Sequence, residues 1–285
     1  MTDTSTEPEP DAPAEPKPSR AGRNLPAAIG VGVLLGGGVL VALLTVRQIF
    51  VGIAAAAVAV ATVELAGALK RGANIRVALL PALVGGQAMV WLSWPFERNG
   101  LLVAFALTIL ACLVWRFRGG VDGYLRDISA SIFTVAYVPL FASFAAMLVV
   151  PADGRNRVLC FLILVVTSDI GGYIAGVLFG KHPMARTISP KKSWEGFAGS
   201  MIGGVAAGIL CLTLLMPGRW WHGVLFGAGL VLTATVGDLV ESLIKRAFGV
   251  KDSGKLIPGH GGMLDRIDAL LFVSAWLYVY TLYLR

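Results

Sequence analysis

The chain has 285 residues, of which 56% are apolar and only 14% charged, and its mean hydropathy is +0.75. Soluble domains carry about a quarter charged residues, so most of this chain has no water-facing surface to decorate, and a soluble globular class is excluded. The net charge of +7 would suit nucleic acid. In a membrane protein it reflects loops facing anionic headgroups, so membrane lipids are the expected contact and no nucleic-acid partner is.

Residues 1–24 differ from the rest. They hold Asp3, Glu7, Glu9, Asp11 and Glu15 among prolines, with no large apolar residue after Met1. Such a segment cannot bury enough surface to offset its ordering entropy, and a disordered acidic tail is expected. It lacks the basic start and apolar centre of a secretory signal.

Apolar stretches of about 20 residues then recur, each long enough to span a bilayer as a helix. The expected fold is an all-α polytopic membrane protein with about nine transmembrane helices. They start near Leu25, Ile49, Val77, Leu101, Ile128, Val158, Phe197, Val224 and Ala269. The first two are joined by little more than Arg47 and Gln48, which predicts a tight helical hairpin. Cys112, Cys160 and Cys211 lie within apolar runs without metal-ligand spacing and read as small buried hydrophobes.

The basic residues set an orientation. With nine spans and a cytoplasmic N-terminus, only Arg47, Arg98, Arg155, Arg157, Arg219 and Arg285, six of the 24 Lys and Arg, fall on the outer side. That bias predicts N-in and C-out. The two richest polar segments, Gly180–Gly196 and Ser242–Asp268, then share the cytoplasmic face. Residues 25–150 read as helical scaffold, and residues 151–285 as the region carrying the site.

Ionisable residues within spans cost several kcal/mol unless paired or hydrated, which marks them as functional candidates. Glu64 stands alone on an Ala/Val-rich helix and reads as scaffold. Asp169 lies beside Gly171 and Gly172, whose lack of a side chain lets another backbone approach. Asp238, Glu241, Ser242 and Lys245 share a helical face, by spacing. The segment that follows is dense in charge and glycine: Arg246, Lys251, Asp252, Lys255, Gly259, His260, Gly261, Gly262, Asp265, Arg266 and Asp268. Glycine N–H groups and basic side chains converge readily on anions. Carboxylates among such cations make sense if Mg²⁺ bridges them to substrate phosphates.

These residues carry a resemblance. Ser242-Leu243-Ile244-Lys245-Arg246, Lys251-Asp252-Ser253-Gly254 and Ile257-Pro258-Gly259-His260-Gly261-Gly262-Met263-Leu264-Asp265-Arg266-Ile267-Asp268 match the signature of the phosphatidate cytidylyltransferases without departure. Ser168-Asp169-Ile170-Gly171-Gly172-Tyr173, Ser189-Pro190-Lys191-Lys192-Ser193-Trp194-Glu195-Gly196 and Asp238-Leu239-Val240-Glu241-Ser242 resemble further blocks of that family. The resemblance covers Val158 to the C-terminus. It implies that CTP and phosphatidate give CDP-diacylglycerol and pyrophosphate in phospholipid biosynthesis, with Mg²⁺ required and K⁺ as a second metal. It also implies a bacterial plasma (inner) membrane location with the site facing the cytoplasm.

On that reading Asp238 and Asp265 bind metal, with Asp268 a further ligand or neighbour. Lys191, Lys192, Lys245, Arg246, Lys251 and Arg266 neutralise the phosphates of CTP or lipid, undivided between the two. His260 either donates to leaving pyrophosphate or orients its loop. Asp169, Ser193, Ser242, Gly261 and Gly262 line the substrate site, and Trp194 is an interfacial anchor. A homodimer is compatible with the sequence. The runner-up reading is an ion-coupled transporter, because buried acids and glycine-broken helices also mark ion paths; no internal repeat supports it.

Overall fold

The computed structural model describes residues 36–216, 218–249, 254 and 262–283. The proposed tail lies outside them, as do Lys251, His260 and Gly261. The described residues form α1 (Gly36–Thr45), α2 (Arg47–Ala73), α3 (Leu79–Trp115), α4 (Tyr124–Val135), α5 (Phe141–Leu148) and α6 (Gly154–Phe179). After a two-stranded hairpin, β1 (Pro183–Ala185) and β2 (Ser189–Ser193), come α7 (Trp194–Leu214), α8 (Trp220–Ala247) and α9 (Leu264–Tyr283). Six helical segments among the described residues are long and apolar enough to cross a membrane, α4 and α5 counting as one. The chain is an all-α polytopic membrane protein.

Local chemistry explains where the helices stop. The break between α1 and α2 falls on Val46, in extended conformation (φ −133°), rather than at Arg47 and Gln48, which lie inside α2. The left-handed Asn74 (φ 51°) ends α2, its N–H returning to Lys70 O, and Lys70 and Arg71 complement the negative end of the helix dipole. Helix α3 is sharply broken at Glu97 (φ 46°, ψ −130°), close after Pro95. Its two arms fold back on each other so closely that Thr108 leaves Gly85 no room for a Cβ. These arms coincide with the apolar runs that begin near Val77 and Leu101. Pro139 sits in a π-helical turn, Ala136–Leu140, which joins α4 to α5 without ending the rod.

Helices α6, α7, α8 and α9 pack in that order, and α9 closes against α5. There Phe141 stacks on Phe272 at 5.1 Å, and Ser274 Oγ donates to Phe141 O. The loops sort into two ends. At one end, Arg47 donates to Pro151 O and Ala152 O, and Asn156 to Leu215 O. At the other, Arg126 reaches Asn74 O, the Arg76 N–H meets Asp127, and Gly72 abuts Phe248. The segments between α6 and α7 and between α8 and α9, which hold Lys191, Lys192, Lys245 and Asp265 or flank them, lie at the second end.

Candidate active site

Glycines bring the first part of the site together. A Cβ on Gly171 would lie 2.5 Å from Gly199 O, and one on Gly203 would lie 2.8 Å from Thr167 O, so the backbones of α6 and α7 meet directly. Ser200 Oγ also donates to Ser168 O at 2.9 Å. Asp169 is thereby set beside the start of α7. Ser193 caps that helix, its Oγ accepting the Gly196 N–H at 3.1 Å. Glu195 Oε2 accepts the N–H groups of Lys181 and His182, and Oε1 meets His182 Nδ1 at 2.5 Å. The hairpin is therefore tied at its base to α7, which holds Lys191 and Lys192 in place.

Beneath them lies a cavity of about 440 Å³, lined by Asp169, Gly172, Tyr173, Gly176, Met184, Lys191, Lys192, Ser193, Gly196, Phe197, Ser200, Thr235 and Asp238. Lys192 Nζ spans it to Asp238 Oδ2 of α8 at 2.5 Å. A second cluster lies further along α8. Lys245 Nζ pairs with Glu241 Oε2 at 2.6 Å and with Asp265 Oδ1 at 3.3 Å. Asp265 Oδ2 accepts the Gly262 N–H at 2.8 Å. Asp268 is buried one turn along α9, where Gly237 lets α8 approach to about a Cβ's width from the Asp268 carbonyl.

A family profile described as the cytidylyltransferase family matches residues 26–284. The chain belongs to this family. It is 48% identical over 275 residues to the phosphatidate cytidylyltransferase of Mycobacterium leprae, covering 90% of this chain and 88% of that one. The Mycobacterium tuberculosis enzyme of the same name is 48% identical over 274 residues, covering 91% and 83%. That of Staphylococcus haemolyticus is 40% identical over 148 residues, covering 52% and 56%.

As a cytidylyltransferase the chain is a nucleotidyl-transferring enzyme, and the family's chemistry calls for a divalent metal. Its donors suit Mg²⁺ in kind, all being carboxylate oxygens. Glu241 adds an observation of its own: it is 4% exposed, and while its Oε2 pairs with Lys245, its Oε1 is buried without a hydrogen-bond partner and is an oxygen that a metal could use. Among the described residues, however, no group of three His, Cys, Asp or Glu is arranged to hold a metal. Asp238 and Asp265 are each turned to a lysine instead.

The residues singled out in the sequence separate accordingly. Asp169, Lys191, Lys192, Ser193 and Asp238 share the cavity. Lys245, Gly262 and Asp265 form the second cluster, with Asp268 buried behind it. Ser242 is half-buried on α8, Arg246 and Arg266 are exposed, and none of the three lines the cavity. Trp194 is exposed and edge-on to Phe197 at 6.0 Å, and it does not line the cavity. The three cysteines are buried free thiols.

Two acids were underrated by sequence reasoning. Glu241 stands four residues before Lys245, a spacing that already pairs them. Glu64 was assigned to the scaffold, yet its Oε2 accepts the N–H of Leu264 at 2.9 Å, at the head of α9. Its burial in an apolar span was the available signal.

Proposed function

We propose that the chain is a phosphatidate cytidylyltransferase. A phosphate monoester oxygen of phosphatidate attacks the α-phosphorus of CTP, the bond to the β-phosphate oxygen breaks, and pyrophosphate leaves as CDP-diacylglycerol forms. The observation that carries this reading is the cavity in which Lys191 and Lys192 face Asp169 and Asp238 within a bundle of membrane-length helices. Its polar wall suits a polyphosphate, and its setting suits a substrate that stays in the bilayer.

The nucleophile needs no strong base. A phosphomonoester has a second pKa near 6, so the attacking oxygen is largely unprotonated at neutral pH. The obstacle is bringing two polyanions into line, which makes countercharge and positioning the main tasks of the protein. Lys191 and Lys192 supply that charge from the hairpin, and Lys245 from α8. Arg246, Arg266 and Lys251 add to the field around the phosphates. Asp238 and Asp265, with Asp268 nearby, are the carboxylates that would hold Mg²⁺ once they are released from Lys192 and Lys245, and the metal would supply further countercharge. Asp169, Ser193, Ser242, Gly261 and Gly262 shape the substrate site, and His260 orients its loop or donates to pyrophosphate.

The bundle is read as nine spans, N-in and C-out, in a bacterial inner membrane. The end carrying Lys191, Lys245 and Asp265 faces the cytoplasm, where the Lys and Arg excess lies.

The test is conversion of labelled CTP to a lipid-soluble product by purified protein with phosphatidate, with and without Mg²⁺ and K⁺. Mg²⁺-dependent product that disappears in Asp265→Asn is expected. A folded wild-type sample that makes no such product with several phosphatidates would overturn the proposal.

A further inference from the structure

We infer that Glu64 is a positioning residue of the cytidylyl-transfer site, anchoring the signature segment from the opposite half of the chain. The inference rests on the proposed function for its activity readout, and on the fold alone for the rest.

Glu64 comes from α2, and Leu264 follows it by 200 residues, yet Glu64 Oε2 accepts the Leu264 N–H at 2.9 Å. This N–H belongs to the first turn of α9, where no intrahelical acceptor exists. A carboxylate there satisfies a donor and also meets the positive end of the helix dipole. Glu64 is 9% exposed, so neither interaction is much screened by water.

The same carboxylate abuts two signature glycines. A Cβ on Gly254 would collide with Glu64 Oε1, and one on Gly262 would lie 2.6 Å from Glu64 Oε2 and 2.7 Å from Gly254 N. Gly254 and Gly262 thus meet over one side chain: a Cβ at either place would displace the Glu64 carboxylate, and at Gly262 it would also press on the Gly254 backbone. Signature residues on both sides of residues 255–261 are therefore gauged against Glu64.

The contacts continue to the charged cluster. Gly262 N–H donates to Asp265 Oδ2, Asp265 Oδ1 meets Lys245 Nζ, and Lys245 Nζ meets Glu241 Oε2. Glu64 touches none of the cavity-lining residues' charged groups; it fixes the residues on either side of Met263, and through them Asp265. Without its acceptor, the head of α9 and Gly262 are free to shift, and Asp265 moves with them. Misplacement of a reacting group by about 1 Å costs on the order of 100-fold in rate.

The experiment compares Glu64→Ala and Glu64→Gln with wild type, using kcat, KM for CTP, and hydrogen exchange of the Leu264 amide in detergent. Glu64→Gln keeps an oxygen for the Leu264 N–H. The expected result is a kcat about 100-fold lower in Glu64→Ala, with KM for CTP changed much less than kcat, because Asp169, Lys191, Lys192 and Asp238 of the cavity stay in place. Leu264 should exchange faster while α6 and α7 stay protected, and Glu64→Gln should recover most of both losses. Wild-type kcat in Glu64→Ala, or unchanged Leu264 exchange, would overturn the inference. So would equal loss of kcat in both variants with Leu264 still protected in Glu64→Gln, since charge rather than anchoring would then matter. If Glu64→Ala does not fold, Glu64→Gln and Gly262→Ala decide: the first must keep Leu264 protected and the second must lose kcat. Should wild type itself lack transferase activity, the proposed function fails, and the exchange data still decide whether Glu64 anchors α9.

Discussion

Replacing Lys192 by Met separates a structural from a functional reading of the Lys192–Asp238 pair. The two groups are 2.5 Å apart, with side chains 26% and 39% exposed. At the dielectric of water their attraction is roughly 1–2 kcal/mol, and side-chain ordering and screening reduce such exposed pairs to about 0–1 kcal/mol net. Loss of the pair should therefore lower the thermal midpoint by no more than about 4 °C. If Lys192 neutralises a phosphate during transfer, kcat/KM should fall about 100- to 1000-fold, the scale of losing one preorganised donor. Unfolding of detergent-purified protein and steady-state conversion of CTP give the two numbers. The charge-reversed double variant, Lys192→Asp with Asp238→Lys, sharpens the comparison, because it restores attraction but inverts the local field. It should remain inactive. Recovery of activity to within about tenfold by that double variant would show that the pair is a staple between β2 and α8, and the catalytic argument for Lys192 would be wrong.

Two further outcomes follow from the packing. Asp127 is 2% exposed and accepts from the Arg76 N–H at 3.1 Å and from Arg116 Nη2 at 2.6 Å; Asp127→Asn leaves the half-buried Arg116 without its countercharge and should cost about 1–3 kcal/mol, read as a lowered unfolding midpoint. Gly199→Ala would press a methyl group onto Ala175 and the Gly171 carbonyl, so it should destabilise by about 1–3 kcal/mol and should reduce CTP turnover more than the same change at the exposed Gly120.

Much of this was legible because it is local. Apolar runs announced the helices, and most begin two to four residues before the apolar onset because the polar flank still completes a turn; α9 begins five before, where Leu264 is fixed by Glu64. The fold-back at Glu97 was legible as two short runs separated by Glu97, Arg98 and Asn99. The break at Val46 was not, since valine carries no turn signal, and only packing selects its extended conformation. Nor was the hairpin: in residues 183–193 there is no period-two pattern, and the strands are held by Glu195 and by the Trp194 N–H to His182 O at 2.9 Å. The signature named Lys245 and Asp265 together, but their pairing spans two helices. The Glu64 contact crosses 200 residues, a distance over which no spacing rule applies.

The charge inventory of the cavity explains why lysines alone are insufficient. Its described lining holds two cations, Lys191 and Lys192, against two carboxylates, Asp169 and Asp238. A polyphosphate entering this wall meets no net positive charge there, and one of the two lysines is already engaged by Asp238. The lysine can turn to phosphate only if Asp238 finds another cation, so nucleotide and divalent ion should each raise the affinity of the other. Neutralising Asp238 removes the competitor. Asp238→Asn should therefore bind CTP more tightly than wild type when Mg²⁺ is absent, by about tenfold if roughly 1.4 kcal/mol of repulsion is relieved. The same variant should gain little from added Mg²⁺ and should not turn over. Equilibrium dialysis of labelled CTP against the two proteins, with EDTA and then with Mg²⁺, measures this directly. Weaker Mg²⁺-free binding by Asp238→Asn would mean that Asp238 serves to hold Lys192 in place for phosphate, and that its carboxylate is a support for the lysine rather than its competitor.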